Sequence, residues 1–315
     1  MLAGRDFLNI SDLDELELQS ILDGAARLKL AQPNRRPGGL LSGSTLAMIF
    51  EKPSLRTRAT FEAGMTQLGG HAIDLAQEHL QIGVRETVED VGQNLCRWVD
   101  AIMARVFDHS VLERLAESSS VPVINGLSDR SHPCQIIADM MTLRERKGSL
   151  RRIKLAYIGD GNNVANSLLA AAPRLGLSMV CACPNGYEPD RALLAEAEAG
   201  LNGSEKILVE TALEAAAGAD AVYTDTWVSM GQESQSDARV ALFKPFQVNA
   251  DVMSAAKPDA LFMHCLPAHR GQEVTTDVID GPHSVVFDQA ENRLHAQKSL
   301  LVHLIRGSEA FKELA

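Results

Sequence analysis

The sequence predicts an α/β fold: two doubly wound parallel-sheet domains, with the active site in the crevice between them. Three observations carry that expectation. Short apolar runs alternate with longer stretches of helical periodicity along almost the whole chain. The 315 residues amount to two domains at roughly 150 residues each. Polar residues of chemical interest recur directly after the apolar runs. Strand–helix alternation implies parallel strands covered by helices, and such sheets bind ligands outside the carboxyl ends of their strands.

The elements follow in order. Residues 11–30 place Leu18, Ile21, Leu22, Ala25 and Leu28 on one helical face, with Ser11 or Asp12 as cap. TLAMIF (45–50), HAIDL (71–75), AIMAR (101–105) and VPVIN (121–125) read as strands, followed in turn by helices at about 56–68, within 87–98, at 109–117 and at 133–147. The polar stretch RERKGSLRR (144–152) separates this block from a second one. There IKLAYIG (153–159), SMVCAC (178–183), KILV (206–209), DAVYT (220–224), DALFMHC (259–265) and SVVFD (284–288) read as strands, with helices at 163–175, 190–199 and 211–217. The expected domains are 1–148 and 149–289, and a last helix at about 290–306, within a 290–315 tail, is expected to pack back on the first.

Composition narrows the classes. With 45% apolar and 23% charged residues the chain is that of an ordinary globular protein. A formal net charge of −11 argues against nucleic acid or an anionic membrane as main partner, since both reward a basic surface. No apolar run reaches the length of a membrane span, and MLAGRDFLNISDLDELEL carries charges where a signal peptide needs its apolar stretch. A soluble, cytoplasmic protein is expected. Cys96, Cys134, Cys181, Cys183 and Cys265 are odd in number and lack CxxC spacing, so neither a disulfide framework nor a zinc site is indicated.

Six clusters at strand ends hold the candidate chemistry. In EKPSLRTRATFEAG, Pro53 and Ser54 open a helix followed by Arg56 and Arg58. Helix N–H groups, a hydroxyl and a guanidinium make an anion site, most naturally for phosphate; the plainer reading is a Ser cap beside two solvated arginines. Arg56 and Arg58 point to different sides of a helix, so one touches the anion and the other braces the site. Arg105 ends an apolar strand, where an unpaired charge is costly, so a ligand or a structural carboxylate must meet it. His132 and Gln135 offer an imidazole and an amide at the next helix start. GDGNNV (159–164) lacks the third glycine of a dinucleotide fingerprint, and its paired Asn162 and Asn163 suit a carboxylate or amide instead. In TDTWVSMGQE, Asp225 and Ser229 offer an ammonium site or, more plainly, a cap. In HCLPAHRG, His264 and Cys265 point to opposite faces if the strand runs through them, which argues against a Cys–His nucleophilic pair.

SLRTR (54–58), HPCQ (132–135), DTWVSMG (225–231) and HCLPAHRG (264–271) together resemble the signatures of the aspartate/ornithine carbamoyltransferase family, the last two motifs those of its ornithine-specific members. The likeness runs from RDFLNI to the AENR segment. Two departures are Leu55, where many members have Thr, and VGQNLCRW (91–98). The resemblance implies transfer of the carbamoyl group of carbamoyl phosphate to the δ-amine of L-ornithine, giving L-citrulline and phosphate, within arginine metabolism. It implies that Ser54, Leu55 through its N–H, Arg56 and Thr57 hold the phosphate, while Arg105, His132, Gln135 and Thr57 surround the carbamoyl group. Asn163, Asp225, Ser229 and Met230 would bind the α-carboxylate and α-ammonium of ornithine. Cys265, Leu266 and Arg293 would close around the δ-amine and carbamoyl group, Cys265 for positioning and proton transfer with no covalent intermediate. No metal or organic cofactor is implied, because the phosphate leaving group is already activated. A homotrimer with shared active sites is implied as well, in which Gln81, on the polar segment LAQEHLQIGVRETVED (75–90), reaches the neighbouring subunit's carbamoyl phosphate.

Acceptors such as an acylated ornithine or putrescine compete with ornithine, and Asp225 with Ser229 favours a free α-ammonium over either. Aspartate is disfavoured by the carboxylate of Asp225. A nicotinamide dehydrogenase is disfavoured by the broken glycine pattern, and a silent binding protein by the intact set Arg56, Arg105, His132 and Cys265.

Overall fold

The computed structural model describes residues 2–32, 39–76, 80–200, 206–228 and 236–314. It divides into two units, Met1–Met141 with Glu291–Ala315, and Thr142–Ala290.

The first unit opens with a 3-10 turn, Ile10–Asp12, and helix α1, Glu15–Ala31. The helix cap is Asp14 and not Ser11 or Asp12: its carboxylate accepts from Glu17 N, and Glu17 reaches back to Asp14 N, a reciprocal capping box. Asp12 instead closes the preceding turn by accepting from Leu8 N and Asn9 N. Then follow β1 Thr45–Phe50, α2 Leu55–Gln67, β2 His71–Ala76, α3 Val88–Leu95, β3 Ala101–Arg105, α4 His109–Ser118, β4 Val123–Leu127 and α5 Pro133–Lys147. The sheet order is β2-β1-β3-β4, all parallel. Strand β4 lies two residues later than VPVIN because Pro122 has no N–H to give the ladder, although its carbonyl accepts from Ile102 N.

The second unit carries β5 Lys154–Ile158, α6 Asn163–Leu175, β6 Ser178–Ala182, α7 Arg191–Gly200, β7 Leu208–Val209, α8 Ala212–Ala216, β8 Ala221–Thr224, α9 Ser236–Phe243, α10 Ala250–Ala255, β9 Leu261–His264 and α11 Thr276–Ile279. Its parallel sheet runs β7-β6-β5-β8-β9. The core beneath β5, β6, β8 and β9 is built from Ala156, Ile158, Val180, Val222 and Phe262 packed on Ala212, Ala215, Val252 and Val278.

Two expectations need correction. SVVFD is not a strand: Ser284 makes an isolated bridge to Phe262, and helix α12, Val286–Ile305, begins two residues later. A short apolar run at a helix start has no period of its own to separate it from a strand. KILV contributes only the two-residue β7 at the sheet edge. Among the described residues no helix is long and apolar enough to cross a membrane.

Candidate functional site

In the first unit, Ser54 caps α2, its Oγ accepting from Thr57 N at 3.3 Å. That bond uses an acceptor lone pair and leaves the hydroxyl proton to donate. Leu55 is 80% exposed, so its backbone alone can serve a ligand at the helix start. Arg56 is half-buried, whereas the exposed Arg58 guanidinium turns to Asp74 on β2 at 2.8 Å. The two arginines therefore diverge, and Arg58 ties the start of α2 to the neighbouring strand. Arg105 closes β3 at a register irregularity between Ala104 and Arg105, and its carbonyl accepts from Glu51 N at 2.9 Å. Such a bulge redirects a side chain at the end of a strand.

His132 and Gln135, at the start of α5, are buried. Gln135 Oε1 accepts from Arg293 NH1 at 2.6 Å, and Gln135 Nε2 donates to the buried Asp139 at 2.8 Å. Arg293, on α12, also donates through NH2 to Thr57 Oγ1 at 3.1 Å. One guanidinium thus joins α2, α5 and α12. Burial, and then the positive charges of Arg293, Arg105 and Arg56, hold the His132 imidazole well below its ordinary pKa. It is neutral at physiological pH and surrounded by three guanidiniums, an arrangement suited to a dianion and a polarised carbonyl. Cys134 is no nucleophile: its thiol donates to Asn125 O at 3.3 Å, and burial pushes its pKa up to about 12.

Gln81 sits after β2 in a tight turn. It is exposed and adopts a left-handed φ of 44°, while its carbonyl accepts from Val84 N and Arg85 N, both at 2.9 Å. The adjoining Ile82 is buried in the core of the unit, so the tip is pinned and Gln81 is presented outward.

The second unit gathers its polar groups at the carboxyl ends of β5, β8 and β9. Asn162 caps α6 through Oδ1, accepting from Val164 N at 2.9 Å, and its Nδ2 donates to Asp225 Oδ2 at 2.8 Å. Asp225, just after β8, also accepts at Oδ1 from Thr226 N at 2.8 Å and from the Cys265 thiol at 2.9 Å. Asn163 is the first residue of α6 and half-buried. Leu266 follows Cys265 with a left-handed φ of 57° and a cis bond to Pro267; that φ costs a non-glycine residue on the order of 1–2 kcal/mol. Ser229 and Met230 lie outside the described residues.

A further brace carries no signal in the amino-acid pattern. Arg239, buried on α9, donates to Trp227 O at 2.6 Å and Asp160 Oδ2 at 2.5 Å, its guanidinium lying over the rings of Tyr187 and Phe243. Burial outweighs that partner and lifts the Asp160 pKa to about 6. Asp139 was likewise concealed, since a carboxylate one helical turn from Gln135 carries no signal of its own, and Asn162, though marked beside Asn163, gave no sign of its bond to Asp225. Asp225, His264 and Cys265 bring three potential metal donors within 4.8 Å of one another. Those donors are engaged already: thiol to carboxylate, and His264 Nδ1 as acceptor of Leu266 N–H at 2.8 Å.

The fold and these strand-end clusters define a two-unit α/β protein with an arginine–histidine constellation in one unit and a carboxylate–thiol–amide constellation in the other. Residues 5–145 match the carbamoyl-P binding domain of aspartate/ornithine carbamoyltransferases, and residues 151–304 the Asp/Orn binding domain. The chain belongs to the aspartate/ornithine carbamoyltransferase family. It is 54% identical to the ornithine carbamoyltransferase of Pyrococcus abyssi over 97% of each chain. With that of Bacillus subtilis it shares 50% identity, covering 99% of this chain and 97% of the relative. The structure of the Pyrococcus furiosus ornithine carbamoyltransferase superposes with a TM-score of 0.93 at 53% identity, covering 97% of this chain and 98% of that one.

Proposed function

We propose that the protein transfers the carbamoyl group of carbamoyl phosphate to the δ-amine of L-ornithine, yielding L-citrulline and phosphate. The observation that carries this reading is the buried, neutral His132 ringed by Arg56, Arg105 and Arg293, for which a small phosphorylated carbonyl compound is the fitting occupant.

In this reading the start of α2 holds the phosphate, through Ser54 Oγ–H, the N–H groups of Leu55 and Arg56, and the Arg56 guanidinium. Thr57, Arg105, His132, Gln135 and Arg293 surround the carbamoyl group. Neutral His132 donates a hydrogen bond to the carbonyl oxygen, and the guanidiniums stabilise the oxyanion formed as the amine attacks. Asp225 and Asn163, with Ser229 and Met230, bind the α-ammonium and α-carboxylate of ornithine. The attacking amine is charged at neutral pH, with an ordinary pKa of about 10.4, and only its neutral form has a lone pair to give. Cys265 and Leu266 receive it, and the Cys265–Asp225 pair accepts its proton, with no covalent intermediate on sulfur.

The assembly is a homotrimer in which Gln81 reaches the carbamoyl phosphate of the adjacent subunit. The pinned, outward Gln81 turn, which also carries the exposed Val84, and the exposed apolar side chains of Leu55 and Ile73 in the same unit support that reading. A cytoplasmic location is supported by five cysteines without a disulfide. The test is carbamoyl transfer from carbamoyl phosphate to a panel of amines. Citrulline formation with ornithine, far above the rates with N-acetylornithine, putrescine and aspartate, is expected. A faster reaction with another acceptor would replace the reading.

A further inference from the structure

The second unit buries two ionisable groups for which none of these steps has a use. His264, the last residue of β9, and Glu273 both have side chains 0% exposed, with Nε2 3.3 Å from Oε1. His264 Nδ1 accepts from Leu266 N at 2.8 Å, which leaves Nε2 as the ring's N–H, on the side of the carboxylate. Glu273 Oε1 also accepts from His269 N at 2.5 Å, and His264 N donates to Gln289 Oε1 at 3.0 Å. One buried carboxylate therefore lies against the imidazole at the start of the turn and accepts a backbone N–H at its end. Cys265 and Leu266 lie between these two contacts.

A carboxylate without partners would be costly here; its Oε1 meets the His269 N–H and the His264 imidazole, and its Oε2 lies 3.7 Å from His269 Nδ1, all in a single turn. The carboxylate charge 3.3 Å from Nε2, although not aligned as a hydrogen-bond acceptor for it, also makes Nδ1 a stronger acceptor for the Leu266 N–H, as an outer partner does for a ligating imidazole. Leu266 needs such support, because a left-handed φ in a branched residue persists only where its surroundings over-determine it.

We propose that Glu273 is a positioning residue for carbamoyl transfer: acting through His264, it fixes the Leu266 turn and so holds the Cys265 thiol against Asp225. The inference rests on the assignment of Cys265 and Leu266 to the transfer site. It assigns a role to a side chain that touches neither substrate.

The test compares Glu273→Gln, Glu273→Asp and Glu273→Ala in the full chain, each assayed below its own melting temperature. Three quantities are read: kcat, KM for each substrate, and the rate at which iodoacetamide alkylates Cys265, followed on its own peptide by mass spectrometry. Gln keeps an oxygen for the His269 N–H and at the His264 imidazole edge, Asp is too short to reach both, and Ala removes the acceptor. Glu273→Ala and Glu273→Asp are expected to lower kcat about tenfold or more, since displacement of a reacting group by about 1 Å has effects of that order. KM for carbamoyl phosphate is expected to stay within about twofold, and Cys265, released from Asp225, to alkylate faster. Glu273→Gln is expected to restore kcat and thiol protection. If Ala does not fold, Asp carries the comparison with Gln. Three results overturn the proposal: unchanged kcat in the folded Ala or Asp variant, a thiol rate that does not move, or a Gln variant no better than the others. Because alkylation reads the tie without the reaction, a failure of the proposal is separable from a wild-type protein that makes no citrulline.

Discussion

Arg56 and Arg58 are two positions apart and carry the same charge, yet the fold gives them different work. Their divergence was readable from helical geometry alone, since residues at that spacing leave a helix in different directions. The partner of Arg58 was not readable, because Asp74 arrives through the parallel pairing of β1 with β2. Arg56→Ala is expected to weaken carbamoyl phosphate binding by about 10- to 100-fold, the loss of a charge-assisted hydrogen bond of roughly 1.5–3 kcal/mol. Arg58→Ala, which breaks an exposed pair worth about 1 kcal/mol at most, is expected to leave that affinity near normal and to lower the melting temperature slightly. Titration of both variants with carbamoyl phosphate, alongside their melting curves, checks the assignment. The asparagine pair is the matching case in the second unit. Asn162 and Asn163 were marked together, and only the structure separates a cap that holds Asp225 from the first residue of the helix.

At the scale of elements, strands β1, β3 and β5 and helices α5 and α6 followed directly from apolar runs and flanking polar residues. The short helices α9, α10 and α11 did not, because at four to eight residues they show little period of their own, although the five-residue α8 was legible within the expected helix at 211–217. Helix α12 was legible as the expected last helix at about 290–306, but its burial was not. It buries Asn292, Arg293, His295, Gln297, Lys298 and His303, so its polar residues mark no solvated face. Lys298 donates to Gln67 Oε1 at 2.9 Å, and burial lowers its pKa to about 8. Below that pH the amine is charged in both folded and unfolded chains, and the folded state bears the full desolvation cost. The cost fades as pH rises from about 8 and is gone near the ordinary pKa of 10.5. Lys298→Met is therefore expected to stabilise the protein at pH 7, by roughly 1–3 kcal/mol, with the gain vanishing by pH 10.5. Urea denaturation at the two pH values measures it; a destabilised variant at pH 7 would show that the bond to Gln67 outweighs burial.

Across the whole molecule, two parallel sheets, of four and five strands, each end in a polar constellation at their carboxyl edges. The alternation of runs and helices made the sheets foreseeable, and the position of each motif after a run made the constellations foreseeable. Their supports, Asp139, Arg239 and Glu273, were not, because a buried acid or base identifies itself only through partners the fold supplies. If the trimer shares its sites through Gln81, Gln81→Ala and Arg56→Ala subunits, each weak alone, should recover activity once dissociated and reassembled together. A hybrid interface then joins an intact Gln81 to an intact Arg56. No recovery in verified hybrid trimers would refute the shared site.

The central claim is that one constellation serves carbamoyl phosphate and the other serves ornithine. It is tested most directly by calorimetric titration of Asp225→Asn, first with carbamoyl phosphate and then with ornithine in the presence of a non-reactive phosphonate analogue. Near-normal affinity for the first ligand with strongly weakened affinity for the second is the predicted result. An equal loss for both ligands would contradict it and reduce Asp225 to a structural carboxylate.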